Sequence, residues 1–211
     1  MFSPRSGVRR TYSTVNKNVV IRKRKSRPFG PFRLDEVDLQ VRRRDGTRQR
    51  MKRVSFERGD SVAVLVHRID TDSIVLARQF RYPVLANAGE RSDGIIVELP
   101  AGVQDKGEAP RRTARREVAE ELGYRLLTLR RITTFFVSPG GTSERILLYY
   151  ATARGRARSR GGGLADEGED IEVVTVPVPK FIEMIKRNTV RDGKTLLAGY
   201  WFMQDRKSKK A

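Results

Sequence analysis

The chain contains no cysteine. Disulfides, thiolate nucleophiles and cysteine-ligated zinc are therefore excluded. It has one histidine, His67, too few for a His-rich metal site. No serine motif of the nucleophile-elbow kind accompanies it. His67 follows the apolar run Val62 to Val66 and reads as an ordinary strand-end residue. Long apolar runs are also missing. The longest are of the size of Val62 to Val66, far short of the roughly 20 residues that span a bilayer, so no membrane segment is expected. Acidic residues are scarce at the start, with none before Asp35. An Arg- and Ser-rich, acid-poor opening is shared by mitochondrial transit peptides. Because the basic excess continues past any plausible cleavage point, residues 1–17 read instead as a basic flexible arm on a cytoplasmic protein.

What is present is a chain of 211 residues, 38% hydrophobic and 33% charged. That is enough for one packed domain with a small extension, and wholesale disorder is excluded. The formal net charge is +19. Such a charge attracts polyanions and fits nucleic-acid binding, a phosphate-bearing substrate, or an Arg-rich proteome. The charge is spread through runs such as Arg22–Lys25, Arg42–Arg44 and Lys207–Lys210. No aromatic RNA-binding motif or helix-turn-helix signature accompanies it. Nucleic acid stays open as a partner without being favoured.

Residues 18–59 are short and strand-like, with Asp45-Gly46 as a hairpin turn, and form a candidate β extension. Val62–Val66 and Ile74–Ala77 read as a buried antiparallel pair bridged by Asp70-Thr71-Asp72. Residues 86–94 read as a loop and Ile95–Glu98 as a strand ended by Pro100. A helix is predicted over 110–122, with Pro110 at its first position and Gly123 just past its end. Its Ala114, Val118 and Leu122 make one apolar stripe. Strands follow at Ile132–Val137, Ile146–Ala151 and Ile171–Val176, and helices at Phe181–Lys186 and Lys194–Gln204. Residues 152–163, rich in arginine and glycine, read as a mobile loop. The predicted domain proper covers 60–206, with a basic tail over 207–211. The class is α/β.

The 110–122 helix has a second face. Glu117, Glu120 and Glu121 stand at i, i+3 and i+4, so their carboxylates converge and repel. A hard divalent cation offsets that repulsion and is commonly shared with substrate phosphate. Taken alone, Arg115–Leu122 would be an ordinary solvated helix face. Its flanks change the reading. Gly102, then Glu108, Arg116-Glu117-Val118, Glu120-Glu121 and Gly123 keep the spacing of the Nudix box. The position after Gly123, where an aliphatic residue is usual, holds Tyr124.

On these residues the chain resembles the Nudix hydrolase superfamily over roughly residues 18–205, and within it the ADP-ribose pyrophosphatase and GDP-mannose pyrophosphatase branch. The resemblance implies an α/β/α sandwich around a mixed sheet, with a small N-terminal β extension. It implies two or three Mg2+ ions, with Mn2+ able to substitute, held by Glu117, Glu120, Glu121 and the carbonyl of Ala101. It makes Arg116 the residue that holds the box glutamates in place. Arg81 matches an arginine that contacts substrate phosphate, and Glu98–Gly102 the segment leading into the box. Pro139 lies sixteen residues after Gly123, as in ADP-ribose pyrophosphatases. Ser138–Arg145 resembles their substrate loop, which places Ser138 and Glu144, with Arg81 and Glu98, at the substrate. Leu164–Asp170 resembles the loop carrying the general base and a further metal ligand, roles that fall to Glu167 and Glu169, with Glu121 as the alternative base. Val190–Thr195 looks more like the GDP-mannose hydrolases.

The activity implied is Mg2+-dependent hydrolysis of a nucleoside diphosphate sugar. ADP-ribose, giving AMP and ribose 5-phosphate, is the first expectation. GDP-mannose is the alternative, and an RNA-binding or RNA-end-processing role the second. The branch also implies a homodimer built through residues 18–59.

Overall fold

Stretches such as Val62–Val66 and Ile74–Ala77, apolar at every position, can be stable strands only where both faces of a sheet are covered. The computed structural model, which describes residues 18–88 and 92–208 apart from the side chain of Glu167, has that arrangement. In chain order its elements are β1 (Val19–Phe29), β2 (Phe32–Arg42), β3 (Arg48–Glu57), β4 (Asp60–Arg68), β5 (Ser73–Phe80), α1 (Tyr82–Ala88), β6 (Ile95–Glu98), β7 (Ala101–Val103), α2 (Pro110–Leu122), β8 (Thr128–Phe136), β9 (Arg145–Ala153), β10 (Glu172–Pro177), α3 (Val178–Lys186) and α4 (Gly193–Ser208). A 3-10 turn lies at Ala165–Glu167.

The chain divides into two compact units. One comprises the residues up to Gly59 with Phe136–Arg145, and the other Asp60–Phe135 with Ile146–Ala211. In the first, β1, β2 and β3 form an antiparallel sheet. Gly30 takes a positive φ of 57° between Phe29 and Phe32, the conformation a two-residue hairpin turn demands. The predicted Asp45-Gly46 turn joins β2 to β3. There the Asp45 carboxylate accepts the Thr47 N–H at 2.9 Å and the Thr47 hydroxyl at 2.6 Å. Phe56 stands edge-on to Phe29 and Phe32, with ring centroids 6.0 and 5.5 Å away. Its backbone bonds to the 136–145 segment: Phe56 N–H donates to Gly141 O at 2.8 Å, and Ser143 N–H donates to Phe56 O at 3.3 Å.

The second unit holds a mixed sheet in the order β10-β5-β4-β9-β8, with β6 paired to β5 and β7 to β4. Alternation along β4 sends Val62, Val64 and Val66 to one face, where they meet Ala114, Val118 and Leu122 of α2. Ala63 and Leu65 go to the other face, against Phe181 and Ile185 of α3 and Ala198 and Phe202 of α4. Strand β5 divides in the same way, Val75 and Ala77 against Ile74 and Leu76. The result is the α/β/α sandwich expected. Burying each such side chain contributes about 1.5–3 kcal/mol.

Helix α2 begins and ends where Pro110 and Gly123 predict. Gly123 is left-handed at φ 73°, and its N–H donates to Ala119 O. Other expectations are corrected. The reading of 86–94 as loop misses α1, which runs to Ala88; Pro83 sets its first turn, and the Arg81 carbonyl accepts the Val84 and Leu85 N–H groups. Residues 89–91 lie outside the described residues. The basic tail was set to start at 207, but α4 continues through Lys207 and Ser208, while 209–211 and the arm at 1–17 lie outside the described residues. The Arg/Gly loop starts later than expected, because Thr152 and Ala153 belong to β9. It is also tied by its backbone: Arg158, Gly162 and Gly163 donate their N–H groups to Gly123 O, Glu121 O and Glu120 O at 2.7, 2.9 and 3.2 Å. These are carbonyls that a helix end leaves without intrahelical donors. Among the described residues, no helix is long and apolar enough to cross a membrane.

Truncating the fully buried Phe202 to alanine removes the ring that fills the α4 side of the core. A loss of about 3–5 kcal/mol in unfolding free energy is expected from denaturant titration. A loss below about 1 kcal/mol would mean that this face is not packed as described.

Candidate functional site

Strand β7 and helix α2 approach so closely that only glycine fits between them. A Cβ at Gly102 would fall inside the Glu117 carboxyl group. The box glycine is therefore needed for space, and it lets Glu117 lie almost buried, at 8% exposure. Glu121, one turn on, is 1% exposed. Its Oε1 accepts the Ala101 N–H at 3.1 Å. Its Oε2 is buried and has no hydrogen-bond partner. Burial pushes the Glu121 carboxyl up to about 8; the Ala101 N–H opposes this, and the charges of Glu117, Glu169 and Glu98 add to it.

Arg116 answers this negative charge from the solvent side. Its Nη1 lies 2.8 Å from Glu117 Oε1 and 3.1 Å from Glu120 Oε2, and its Nη2 donates to Glu108 Oε2 at 3.2 Å. Burial works against the guanidinium's charge, but Glu108, Glu117 and Glu120 outweigh it and raise its pKa. Glu108 is held below the usual carboxylate range by the Arg116 hydrogen bond; burial opposes that, and Thr113, donating at 2.9 Å, supports it. Among the described residues no three Asp, Glu or His groups stand ready as a metal cage. Arg116 draws Glu117 and Glu120 toward itself, and Glu121 faces inward.

The residues present nonetheless fit a hard cation. Glu121 offers a buried oxygen with no donor, two further carboxylates lie on the same helix, and Gly102 leaves the room that lets the Glu117 carboxyl lie beside the β7 backbone. These are the oxygen donors that Mg2+ takes. Glu169, on the loop after the 3-10 turn, accepts the Leu164 N–H at 2.9 Å and is near enough to Glu121 to raise its pKa. The backbone of Glu167 closes the 3-10 turn before Gly168. Its side chain lies outside the description.

A second charged group gathers at the end of β6. Glu98 is only 3% exposed. Its Oε1 accepts Arg81 Nε at 2.8 Å, and its Oε2 accepts Lys194 Nζ. With both oxygens on basic side chains, Glu98 holds Arg81 and Lys194 beside each other. Lys194 also donates to Asp192 Oδ1 at 2.9 Å. Burial disfavours the Lys194 charge, yet Glu98 and Asp192 outweigh burial and raise its pKa. Asp192 caps α4 by accepting the Thr195 N–H at 2.9 Å, and the Thr195 hydroxyl accepts the Leu99 N–H at 2.9 Å. Sequence reading assigned no role to Lys194 or Asp192. The available signal was an Asp-Gly-Lys-Thr run at a helix start, but its partner Glu98 is 96 residues away.

Ser138 and Glu144 belong to the other compact unit. The Ser138 carbonyl accepts the Gly141 and Thr142 N–H groups at 3.1 and 3.0 Å. The Glu144 carboxylate lies 3.6 Å from Arg58. The structure thus brings Ala101, Arg116, Glu117, Glu120, Glu121 and Glu169 together, and Arg81 with Glu98.

Comparison with known proteins bears on this arrangement. A family model described as the NUDIX domain matches residues 57–197. A GDP-mannose pyrophosphatase of Salmonella arizonae is 36% identical over 184 residues, covering 87% of this chain and 94% of that protein. A GDP-mannose pyrophosphatase of Shigella flexneri serotype 5b is 37% identical over 166 residues, covering 79% and 85%. A solved structure described as an ADP compounds hydrolase matches with a TM-score of 0.65 over 99% of this chain and 98% of its own, at 18% identity, which is a likeness of fold.

The raised pKa of Glu121 has a consequence for stability. Between the ordinary value of 4.5 and about 8, the folded protein holds a proton that the unfolded chain has released. Folding stability should therefore fall as pH rises through that window, and the loss is complete above it. Glu121→Gln removes the penalty. In EDTA the variant should melt at a higher temperature than the parent at pH 8.5 and at nearly the same temperature at pH 4.5. Equal melting temperatures at both pH values would show that Glu121 carries no such strain.

Proposed function

The chain belongs to the NUDIX family, and from that premise we propose that it hydrolyses the diphosphate bond of a nucleoside diphosphate sugar with the aid of divalent cations, GDP-mannose being the substrate best supported. The observation that carries the catalytic reading is the buried, unpartnered oxygen of Glu121 beside Glu117 on the helix face that also holds Glu120. For the substrate, two supports agree: the relatives named above, and the Val190–Thr195 segment whose Lys194 and Asp192 meet Glu98. ADP-ribose, the first expectation from sequence, becomes the second reading. It keeps support from the Ser138–Arg145 and Leu164–Asp170 segments.

Glu117, Glu120, Glu121, Glu169 and the Ala101 carbonyl would hold the cations, two or three Mg2+ or Mn2+ in their place. The chemistry these supply when bound is neutralisation of phosphate charge and a water made acidic enough to attack at neutral pH. Arg81 would grip the diphosphate, since a guanidinium offers paired donors and stays charged. Glu98 fixes Arg81 through its Nε, and Lys194 donates to the other oxygen of Glu98. Glu167 would take the proton from the attacking water, on a turn that Gly168 permits at its left-handed φ of 73°. Attack at phosphorus breaks the bridging P–O bond, and the departing phosphate keeps that bond's electron pair. GDP-mannose would give GMP and mannose 1-phosphate. Ser138 and Glu144 remain proposed substrate contacts. The β1–β3 sheet remains the proposed dimer element, supported by the exposed Phe29 and Val54.

Incubation with Mg2+ and separate portions of GDP-mannose, ADP-ribose and capped RNA should release nucleoside monophosphate fastest from GDP-mannose. Preference for capped RNA would overturn the nucleotide-sugar assignment. Glu120→Gln and Glu121→Gln should each lower kcat by about 10²–10³-fold, and near-parental turnover in both would remove the cation assignment. Glu167→Gln should lower kcat about 10²–10⁴-fold with Mg2+ affinity retained. An unchanged rate would move the base to Glu121.

A further inference from the structure

The alternating arginines 154, 156, 158 and 160 have no task in the reaction above. Arg158 lines a cleft of about 520 Å³ together with Arg115, Ala119, Tyr124, Arg125 and Leu127, a volume suited to a small ligand. Arg115 and Ala119 lie on the face of α2 roughly opposite Glu117 and Glu121, so the cleft is separate from the carboxylate site. No acidic residue lines it. Arg125 and Arg158 are exposed and, among the described residues, have no acidic partner, while Arg115 donates only to the Leu126 carbonyl at 3.1 Å.

Three guanidinium groups around one cleft repel each other unless an anion joins them. Arginines near a helix C-terminus have a simpler explanation, the attraction of bare carbonyls for cations. Here that attraction is weakened. The carbonyls of Glu120, Glu121 and Gly123 already accept the N–H groups of Gly163, Gly162 and Arg158. The cleft therefore presents guanidinium donors with the negative helix end covered. Leu127, 56% exposed, adds an apolar shelf beside Arg125.

We propose that this cleft binds a small oligophosphate, with Arg115, Arg125 and Arg158 as its phosphate ligands. Guanidinium groups suit that chemistry because each pairs two N–H donors with phosphate oxygens. The phosphate chain could come from an inorganic polyphosphate or from a nucleotide, and the two are separable by experiment.

The full chain is titrated calorimetrically in excess EDTA with inorganic triphosphate and, separately, with a nucleoside triphosphate. One anion per chain is expected. The double variant Arg125→Ala/Arg158→Ala should bind at least about tenfold more weakly, with unchanged melting temperature and unchanged Mg2+-dependent turnover in the absence of the anion. Arg81→Ala should bind as the parent does. Tighter binding of the nucleoside triphosphate would assign the apolar shelf to a base; equal binding would mean that the phosphate chain alone is read. The proposal is overturned if the double variant binds as the parent, if Arg81→Ala abolishes binding, or if single-stranded RNA binds far more tightly than triphosphate and loses that affinity in the double variant.

Discussion

Close packing of helix α2 on strand β7, with carboxylates caught between them, is the constraint on which the rest of the site depends. Gly102 yields the space of a side chain, and Glu117 fills it. Glu121 then has to lie inward, where one oxygen finds the Ala101 N–H and the other finds no donor. Burying negative charge in this way is costly without compensation. The protein compensates from one side only, through Arg116, which reaches Glu108, Glu117 and Glu120 and leaves Glu121 alone. The residual imbalance sits at one oxygen of Glu121, which is buried and has no hydrogen-bond partner.

That imbalance is tolerable because α2 is held firmly elsewhere. Its apolar stripe of Ala114, Val118 and Leu122 is fully buried against Val62, Val64 and Val66. Pro110 starts it, and Gly123 ends it with a left-handed turn. Beyond the turn, three backbone N–H groups of the Arg/Gly loop bond to its last carbonyls. The same loop thus secures α2 through its backbone and presents arginine side chains outward. Near the end of β6 the compensation is complete: Glu98, Arg81, Lys194 and Asp192 form alternating charges, and the buried lysine stays protonated.

Much of this was legible in the sequence. Val62–Val66 and Ile74–Ala77 announced a doubly covered pair of strands because each position is apolar. Helix 110–122 was legible to the residue because its two ends carry the residue types that a first turn and a left-handed cap require. The glutamate spacing placed three carboxylates on one helix before any tertiary contact was known. Helix α1 was not legible, since it is short and has no fully buried residue to impose periodicity. Lys194 escaped because a charge beside a glycine reads as surface until its partner is seen.

Local order and spacing by themselves determined the box helix, its caps, the carboxylate face and the sandwich class, because these depend on φ preferences and on the 3.6- and 2-residue periods of neighbouring positions. Only the tertiary structure decided which carboxylates are paired and which is left unsatisfied. It alone brought Lys194 to Glu98 across 96 residues, and turned a glycine- and arginine-rich loop into the cap of α2. The physical reason is that burial and ion pairing depend on distances between segments remote in the chain, and no local pattern records those distances.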